Sequence, residues 1–178
     1  MPIPPWKKLA EKTVYNGYRN MVRKTFELPD GRVEDFDIID NQHFVSVAAF
    51  TPDKEVILVN QYRPGPEQPL WSVAEGYIDP GEAPIVSAAR ELREETGYEA
   101  GELVFLREIR RTYEHERKII FVATNCMKVG DLQLDENEFL EMQLMPLEEF
   151  RAFLKGPASA NFESFDVVYL ALDYLGWL

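Results

Sequence analysis

Cysteine is almost missing from this sequence: Cys126 is the single one in 178 residues, so no disulfide can form within the chain and a reducing compartment is expected. It sits in the apolar run KIIFVATNCM, which predicts a buried thiol rather than a reactive one. Positive charge is also scarce, with 19 Lys and Arg against 31 Asp and Glu and a net charge of −12. Nucleic-acid polymers are held by dense cationic surfaces that displace counterions, so the balance argues against such a polymer as the main partner. A small phosphate ester stays compatible if metal cations neutralise both sides. No apolar stretch approaches the roughly 18 residues that span a bilayer, and MPIPPWKKLAEKTVYNGY at the N-terminus has no run of signal-peptide length. A cytoplasmic protein without a membrane partner is the expectation. What the chain does have, 46% hydrophobic and 28% charged residues, suits one globular core with a modest appendage.

Along the chain, Met21 to Phe26 and Val33 to Ile39 flank the turn Pro29-Asp30-Gly31 and read as a hairpin in a small N-terminal antiparallel sheet. Residues 44–50 and 55–62 read as paired strands joined by Thr51-Pro52-Asp53-Lys54. The segment 63–69 is too proline-rich for regular structure, and a short strand follows around Trp71 to Ala74. Residues 103–109 and 118–124 read as further strands, and Leu140, Met142 and Leu144 share one face of another. Pro146 introduces a helix over Leu147 to Lys155, and Phe165 to Leu178 carries a final helical pattern. Strands interrupted by so few helices predict an α/β fold: an α/β/α sandwich with a mixed central sheet.

The stretch GYIDPGEAPIVSAARELREETGY, residues 76–98, concentrates the acidic charge. Pro84 suits a first helical position and Gly97 a C′ position, so the helix is expected from Pro84 to Thr96. Ile85, Ala88, Ala89, Leu92 and Thr96 fall on one arc, expected to be buried, while Glu91, Glu94 and Glu95 lie within about 100° of one another across from it. A solvated face would carry basic partners at i+4, yet Arg90 and Arg93 lie off the centre of that stripe. Crowded oxygen ligands without such partners ask for a hard cation, Mg²⁺ or Mn²⁺. Gly76, Gly81 and the turn signal Asp79-Pro80-Gly81 let the preceding loop fold back, so that a backbone carbonyl near Glu75 or Gly76 completes a solvent-facing coordination sphere and Glu82 reaches Arg90. Substitution at phosphorus is the chemistry such a site serves.

Gly76, five residues, Glu82, seven residues, then Arg90-Glu91-Leu92-Arg93-Glu94-Glu95-Thr96-Gly97 resembles the Nudix box of hydrolases that cut a nucleoside diphosphate linked to another moiety. A chance match to its seven fixed types is on the order of 10⁻⁸ per start position. Tyr98 departs from the usual aliphatic residue at its end. The resemblance implies that Glu91 and Glu95 are direct metal ligands, Glu94 a direct or water-mediated one that also belongs to the catalytic set, and the Glu75 carbonyl a further ligand. Arg90 and Glu82 would support them, Arg90 on the catalytic side and Glu82 toward the substrate.

Beyond the box, over roughly residues 14–175, the chain is similar to the ADP-ribose and nucleoside-diphosphate-sugar pyrophosphatases. That likeness implies a Mg²⁺-dependent cleavage of ADP-ribose or a related nucleotide sugar into a nucleoside monophosphate and a sugar phosphate. It also implies a homodimer, with residues 1–42 serving dimerisation and substrate contacts and 43–178 forming the hydrolase domain. Arg63 would contact phosphates, and Tyr18 and Phe36 either sandwich the base or pack within the hairpin. A base on a separate loop is expected from Glu138, or next from Glu136. Tyr113 stands some sixteen residues past Gly97, where ADP-ribose pyrophosphatases usually carry proline, and Ser72-Val73-Ala74-Glu75-Gly76 replaces their usual E-x-P-A-G. A tyrosine there is more typical of dinucleoside polyphosphate hydrolases, which is the alternative reading; a catalytically silent ligand sensor is a further one. Arg110, Arg111, His115, Arg117 and Lys118 form a basic segment, either a patch for extra phosphates or an anionic sugar, or a set of surface ion pairs.

Overall fold

Pro29-Asp30-Gly31 turns the chain as a hairpin, the Gly31 amide donating to the Leu28 carbonyl at 2.9 Å. The computed structural model describes residues 2–134 and 138–178. These divide into two units, one made of the residues up to His43 with Ile109–Arg117, the other of Phe44–Glu108 with Lys118–Leu178.

In the first unit, β1 (Lys7–Asn16), β2 (Asn20–Glu27) and β3 (Val33–Ile39) form an antiparallel sheet in that order. β1 was not expected from the sequence: KKLAEKTVYN has no clean apolar alternation, and every one of its positions is exposed. Trp6, Phe26 and Phe36 pack together with ring centroids 5.4 to 6.1 Å apart. The segment 109–117 joins this unit through Ile39, whose amide donates to the Tyr113 carbonyl and whose carbonyl accepts from the His115 amide.

The second unit is built on β4 (Phe44–Phe50) and β5 (Glu55–Arg63), antiparallel only at Ala49↔Ile57 and Phe50↔Val56. Beyond that point they part. β5 pairs with β6 (Gln68–Ser72), and β4 pairs with β7 (Ala74–Tyr77). This corrects two expectations. Residues 63–69 are not irregular throughout, because Pro64 and Pro66 occupy the turn while Arg63 pairs with Gln68, and the strand foreseen at 71–74 is two strands broken at Val73. β8 (Tyr98–Glu99) and β11 (Met127–Lys128) make a two-stranded ribbon, and β9 (Glu102–Arg110), β10 (Arg117–Thr124) and β12 (Leu140–Pro146) extend the main sheet to the order β12-β5-β4-β10-β9. β10 runs parallel to β4 whereas β12 and β5 run antiparallel, so the sheet is mixed.

The helices are α1 (Pro84–Thr96), α2 (Leu147–Lys155) and α3 (Phe165–Tyr174). α3 ends four residues before the expected Leu178. α1 lays Ala88 and Leu92 on Val45, Val47, Ala49, Ile119 and Phe121, and burying a side chain such as Leu92 contributes about 2 kcal/mol. Tyr98 joins the same cluster, so its departure from an aliphatic type is accommodated by packing. The alternate residues Ala48, Phe50, Ile120 and Val122 point to the opposite face, where α3 covers β4 and Trp177 packs edge-on to Phe50. The result is the expected α/β fold with a mixed central sheet and a small antiparallel sheet. Among the described residues, no helix is long and apolar enough to cross a membrane.

One face was misplaced by the sequence reading. The buried arc of α1 is Ser87, Ala88, Glu91, Leu92, Glu95 and Thr96, whereas Ile85 is 49% exposed and Ala89 is exposed. The apolar arc is therefore rotated toward the carboxylates, and Glu91 and Glu95 turn inward rather than facing solvent.

Candidate active site

Residues 78–83 connect β7 to α1 through a turn in which the Glu82 amide donates to the Asp79 carbonyl at 2.9 Å and Gly81 takes φ 86°. The turn aims the Glu82 carboxylate back at the helix. It accepts from Ser87 Oγ at 2.5 Å and from Arg90 Nε and Nη2 at 3.2 and 3.0 Å. The guanidinium first, and the hydroxyl second, hold the Glu82 carboxyl down to about 2.

Arg90 does more than its helical angle foretold. Its Nη1 reaches Glu91 Oε1 at 2.6 Å and Glu94 Oε2 at 3.0 Å, and Nη2 donates to the Tyr77 carbonyl at 3.0 Å. One planar fork thus ties the turn, β7 and two carboxylates together, and the three carboxylates, Glu82 first, raise its own pKa. Arg93 instead pairs with Glu99.

Glu95 is 6% exposed, and its Oε2 accepts the Glu75 backbone N–H at 3.0 Å. Burial is the main reason its pKa stands well above the ordinary carboxylate range, with Glu91 and Glu138 adding repulsion. Burial likewise pushes Glu91 up to about 6, against the pull of Arg90. Gly76 of β7 comes so near that a Cβ there would overlap the Glu91 carboxylate.

Among the described residues, no three metal-ligating side chains converge on a single point, because Arg90 draws Glu91 and Glu94 to itself. The donor set nonetheless suits a hard divalent cation. It consists of carboxylate oxygens from successive turns of one helix, two of them buried and raised in pKa by desolvation and mutual repulsion, beside a glycine that leaves the backbone bare.

The Glu75 side chain turns away from this cluster. Its Oε1 accepts from Ser164 Oγ at 3.0 Å and lies 3.4 Å from Lys118 Nζ, which also meets Asp166 at 3.0 Å. Lys118 is 6% exposed, so it does not belong to the surface patch that the sequence suggested. In that segment His115 pairs with Asp40 at 2.7 Å and Arg111 with Glu114 at 3.5 Å. Sequence reasoning missed Ser164 and Asp166 and set Lys118 in a surface segment; the available signal was a lysine opening an apolar strand on the side opposite Ile119.

Arg63, at the end of β5, is held by Glu163 at 2.5 Å and by Gln61 at 2.8 Å. Glu138 acts electrostatically on both Glu91 and Glu95, while Glu136 lies outside the described residues. Tyr18, Phe36 and Tyr113 belong to the first unit. There Phe36 is enclosed by Trp6 and Phe26, Tyr18 is 89% exposed with Arg19 over its ring, and Tyr113 is exposed. No ring contact joins Tyr18 to Phe36 among the described residues.

Comparison with known proteins gives a consistent result. The NUDIX domain profile matches residues 41–165. The "Methanol dehydrogenase activator" of Bacillus methanolicus is 33% identical over 132 residues, 72% of this chain and 71% of that protein. The "ADP-ribose pyrophosphatase" of Bacillus subtilis (strain 168) is 29% identical over 147 residues, 80% of each chain. A crystal structure of ADP compounds hydrolase superposes with a TM-score of 0.82 at 25% identity, covering 100% of both chains.

Proposed function

The chain belongs to the NUDIX family of hydrolases, and from that premise we propose that it is a Mg²⁺-dependent pyrophosphohydrolase cleaving ADP-ribose or related nucleoside diphosphate sugars into a nucleoside monophosphate and a sugar phosphate. The observation that carries the reading is the placement of Glu91, Glu94 and Glu95 on the flank of α1 that meets β7, with two of the three buried. A carboxylate is stable in such surroundings only when paired, and a bound cation is the partner that the oxygen set selects. The likeness to an ADP-ribose pyrophosphatase across four-fifths of both chains supports the substrate class.

Glu91, Glu94 and Glu95, with the Glu75 carbonyl, would hold Mg²⁺, or Mn²⁺ in its place. The chemistry such an ion would supply is Lewis-acid polarisation of the phosphoryl oxygens and activation of water as a nucleophile. The chain's own residues orient the rest. Glu82 keeps Arg90 fixed beside the carboxylates, and Glu94 remains the most accessible of the three toward substrate. Glu138, or Glu136, takes the proton of the attacking water; the electrostatic reach of Glu138 to Glu91 and Glu95 supports the first of these. Arg63 grips the diphosphate once released from Glu163; of the aromatic residues, the exposed Tyr18 and Tyr113 are the candidates for base and sugar contact, whereas the packing of Phe36 against Trp6 and Phe26 favours its role within the hairpin.

The same reading includes a cytoplasmic homodimer with residues 1–42 as its dimerisation region. Leu9, Val14 and Tyr15, exposed along β1, supply apolar surface for that contact.

Incubation with Mg²⁺ and a panel of nucleotide sugars plus diadenosine tetraphosphate, with products resolved by chromatography, tests the reaction. AMP and ribose 5-phosphate from ADP-ribose are expected. Turnover confined to diadenosine tetraphosphate, giving ATP and AMP, transfers the protein to the dinucleoside polyphosphate reading, and no turnover at all refutes both.

A further inference from the structure

Lys118 is the only buried lysine among the described residues, and a lysine is withdrawn from water only where its charge is answered. Two carboxylates answer it here, Asp166 at 3.0 Å from the first turn of α3 and Glu75 at 3.4 Å from β7. Ser164, fully buried just before α3, adds a second tie on the same oxygen of Glu75 and accepts the Val73 amide at 3.4 Å. β7 spans four residues and pairs with β4 alone, so its own ladder gives it little stiffness. Its Glu75 amide, however, is the group that meets Glu95 at 3.0 Å, and the next residue lies against the Glu91 carboxylate.

We propose that Lys118 is a positioning residue: clamped to Asp166, it holds the Glu75 side chain and thereby fixes the β7 backbone whose N–H orients Glu95. Its partners are Asp166 and Glu75 rather than the carboxylate stripe, so it acts through Glu75. The inference rests on the reading that Glu95 is a metal ligand. Removing the ammonium leaves a largely buried Glu75 carboxylate with Ser164 alone, and the strand shifts to rehydrate it.

The test uses the full chain as wild type, Lys118→Met, Lys118→Arg, Glu75→Gln and the Met/Gln double variant. Three quantities are read: amide hydrogen exchange of Glu75 in the metal-free protein, Mn²⁺ affinity, and kcat and KM for ADP-ribose. Lys118→Met is expected to speed Glu75 exchange and weaken Mn²⁺ binding each by about tenfold, the low end for an outer partner of a metal ligand. It should lower kcat with KM within about twofold, while α2 amides exchange unchanged. Lys118→Arg, which keeps the charge, should restore most of the loss. Glu75→Gln should reproduce it, and the double variant should be no worse than either single one.

A Lys118→Met protein that merely melts earlier, with Glu75 exchange and Mn²⁺ affinity as in wild type, overturns the proposal, as do additive effects in the double variant. If Lys118→Met does not fold, unchanged exchange and affinity in Glu75→Gln overturn it equally. A wild type that binds Mn²⁺ but hydrolyses no ADP-ribose refutes the substrate reading alone and leaves exchange and affinity to decide on Lys118. A wild type that binds no Mn²⁺ refutes the metal site and this inference together.

Discussion

Gly76 and the Glu91 carboxylate share a space that a single methyl group would fill, so β7 and α1 meet there through bare backbone. Gly76→Ala must push the carboxylate or the strand aside. A loss in kcat of about 100-fold is expected from displacement on the ångström scale, with a stability cost of about 1–3 kcal/mol from overpacking. Steady-state kinetics beside urea unfolding measures both; near wild-type kcat in a folded variant refutes the contact.

Glu95→Gln separates chemistry from folding. The carboxamide keeps an oxygen for the Glu75 amide and removes a charge that burial disfavours, so the melting temperature without metal should hold or rise. Loss of a ligand should cost more than the 10- to 100-fold typical of its outer partners, hence a kcat reduction beyond about 100-fold. Wild-type rates in this variant would remove Glu95 from the metal set.

The inward turn of Glu91 and Glu95 was the least legible part of the site. Pro84 and Gly97 marked the ends of α1, and the Glu91, Glu94 and Glu95 stripe stood out by spacing. Which side of the helix is buried followed instead from where β7 presents a free amide and a glycine, a tertiary fact that sorting residues by polarity misses. β1 was hidden for a related reason: its residues are exposed throughout, so no core imprinted an alternation on them. The β5–β6 hairpin was masked by its prolines, of which Pro64 and Pro66 sit in the turn and only Pro69 in the ladder, opposite Tyr62.

Stability and metal binding should respond to pH in opposite directions. Glu91 rises from 4.5 in the unfolded chain to about 6 in the fold, so between those values the native state binds more protons than the unfolded one. The Glu91 contribution to metal-free stability therefore falls as pH rises through that window, by about 2 kcal/mol at most, and Glu95, whose pKa burial also raises, acts in the same direction. A divalent cation needs the ionised form, so the stabilisation by Mg²⁺ should grow over the same window. Melting temperatures with and without Mg²⁺ from pH 4.5 to 8 measure this, and a Mg²⁺ increment that shrinks with pH contradicts it.

Cys126 should be silent in the native protein. Burial pushes its thiol up to about 11, so roughly one molecule in a thousand carries the thiolate at pH 8. A colorimetric disulfide reagent should react only after denaturant is added; prompt labelling at pH 8 would show that the residue is accessible.

Arg63 is engaged by Glu163, and a diphosphate would have to compete with that carboxylate. Glu163→Gln weakens the competitor while keeping its shape, and KM for ADP-ribose should fall about two- to fivefold with kcat unchanged, the scale of a partly exposed ion pair. Arg63→Ala should raise KM. Identical KM values in all three proteins would take Arg63 out of the substrate contacts.

Residues 78–83 act as a ruler between a strand and a helix. A residue added or removed there would break the turn that ties Glu82 to the Asp79 carbonyl, Ser87 and Arg90, and with it the fixed approach of α1 to β7. Length in this connection therefore matters more than side-chain identity at an exposed position such as Ala83, because an insertion that surface loops elsewhere absorb would here uncouple Glu82 from Arg90 and loosen the fork that Arg90 places beside Glu91 and Glu94.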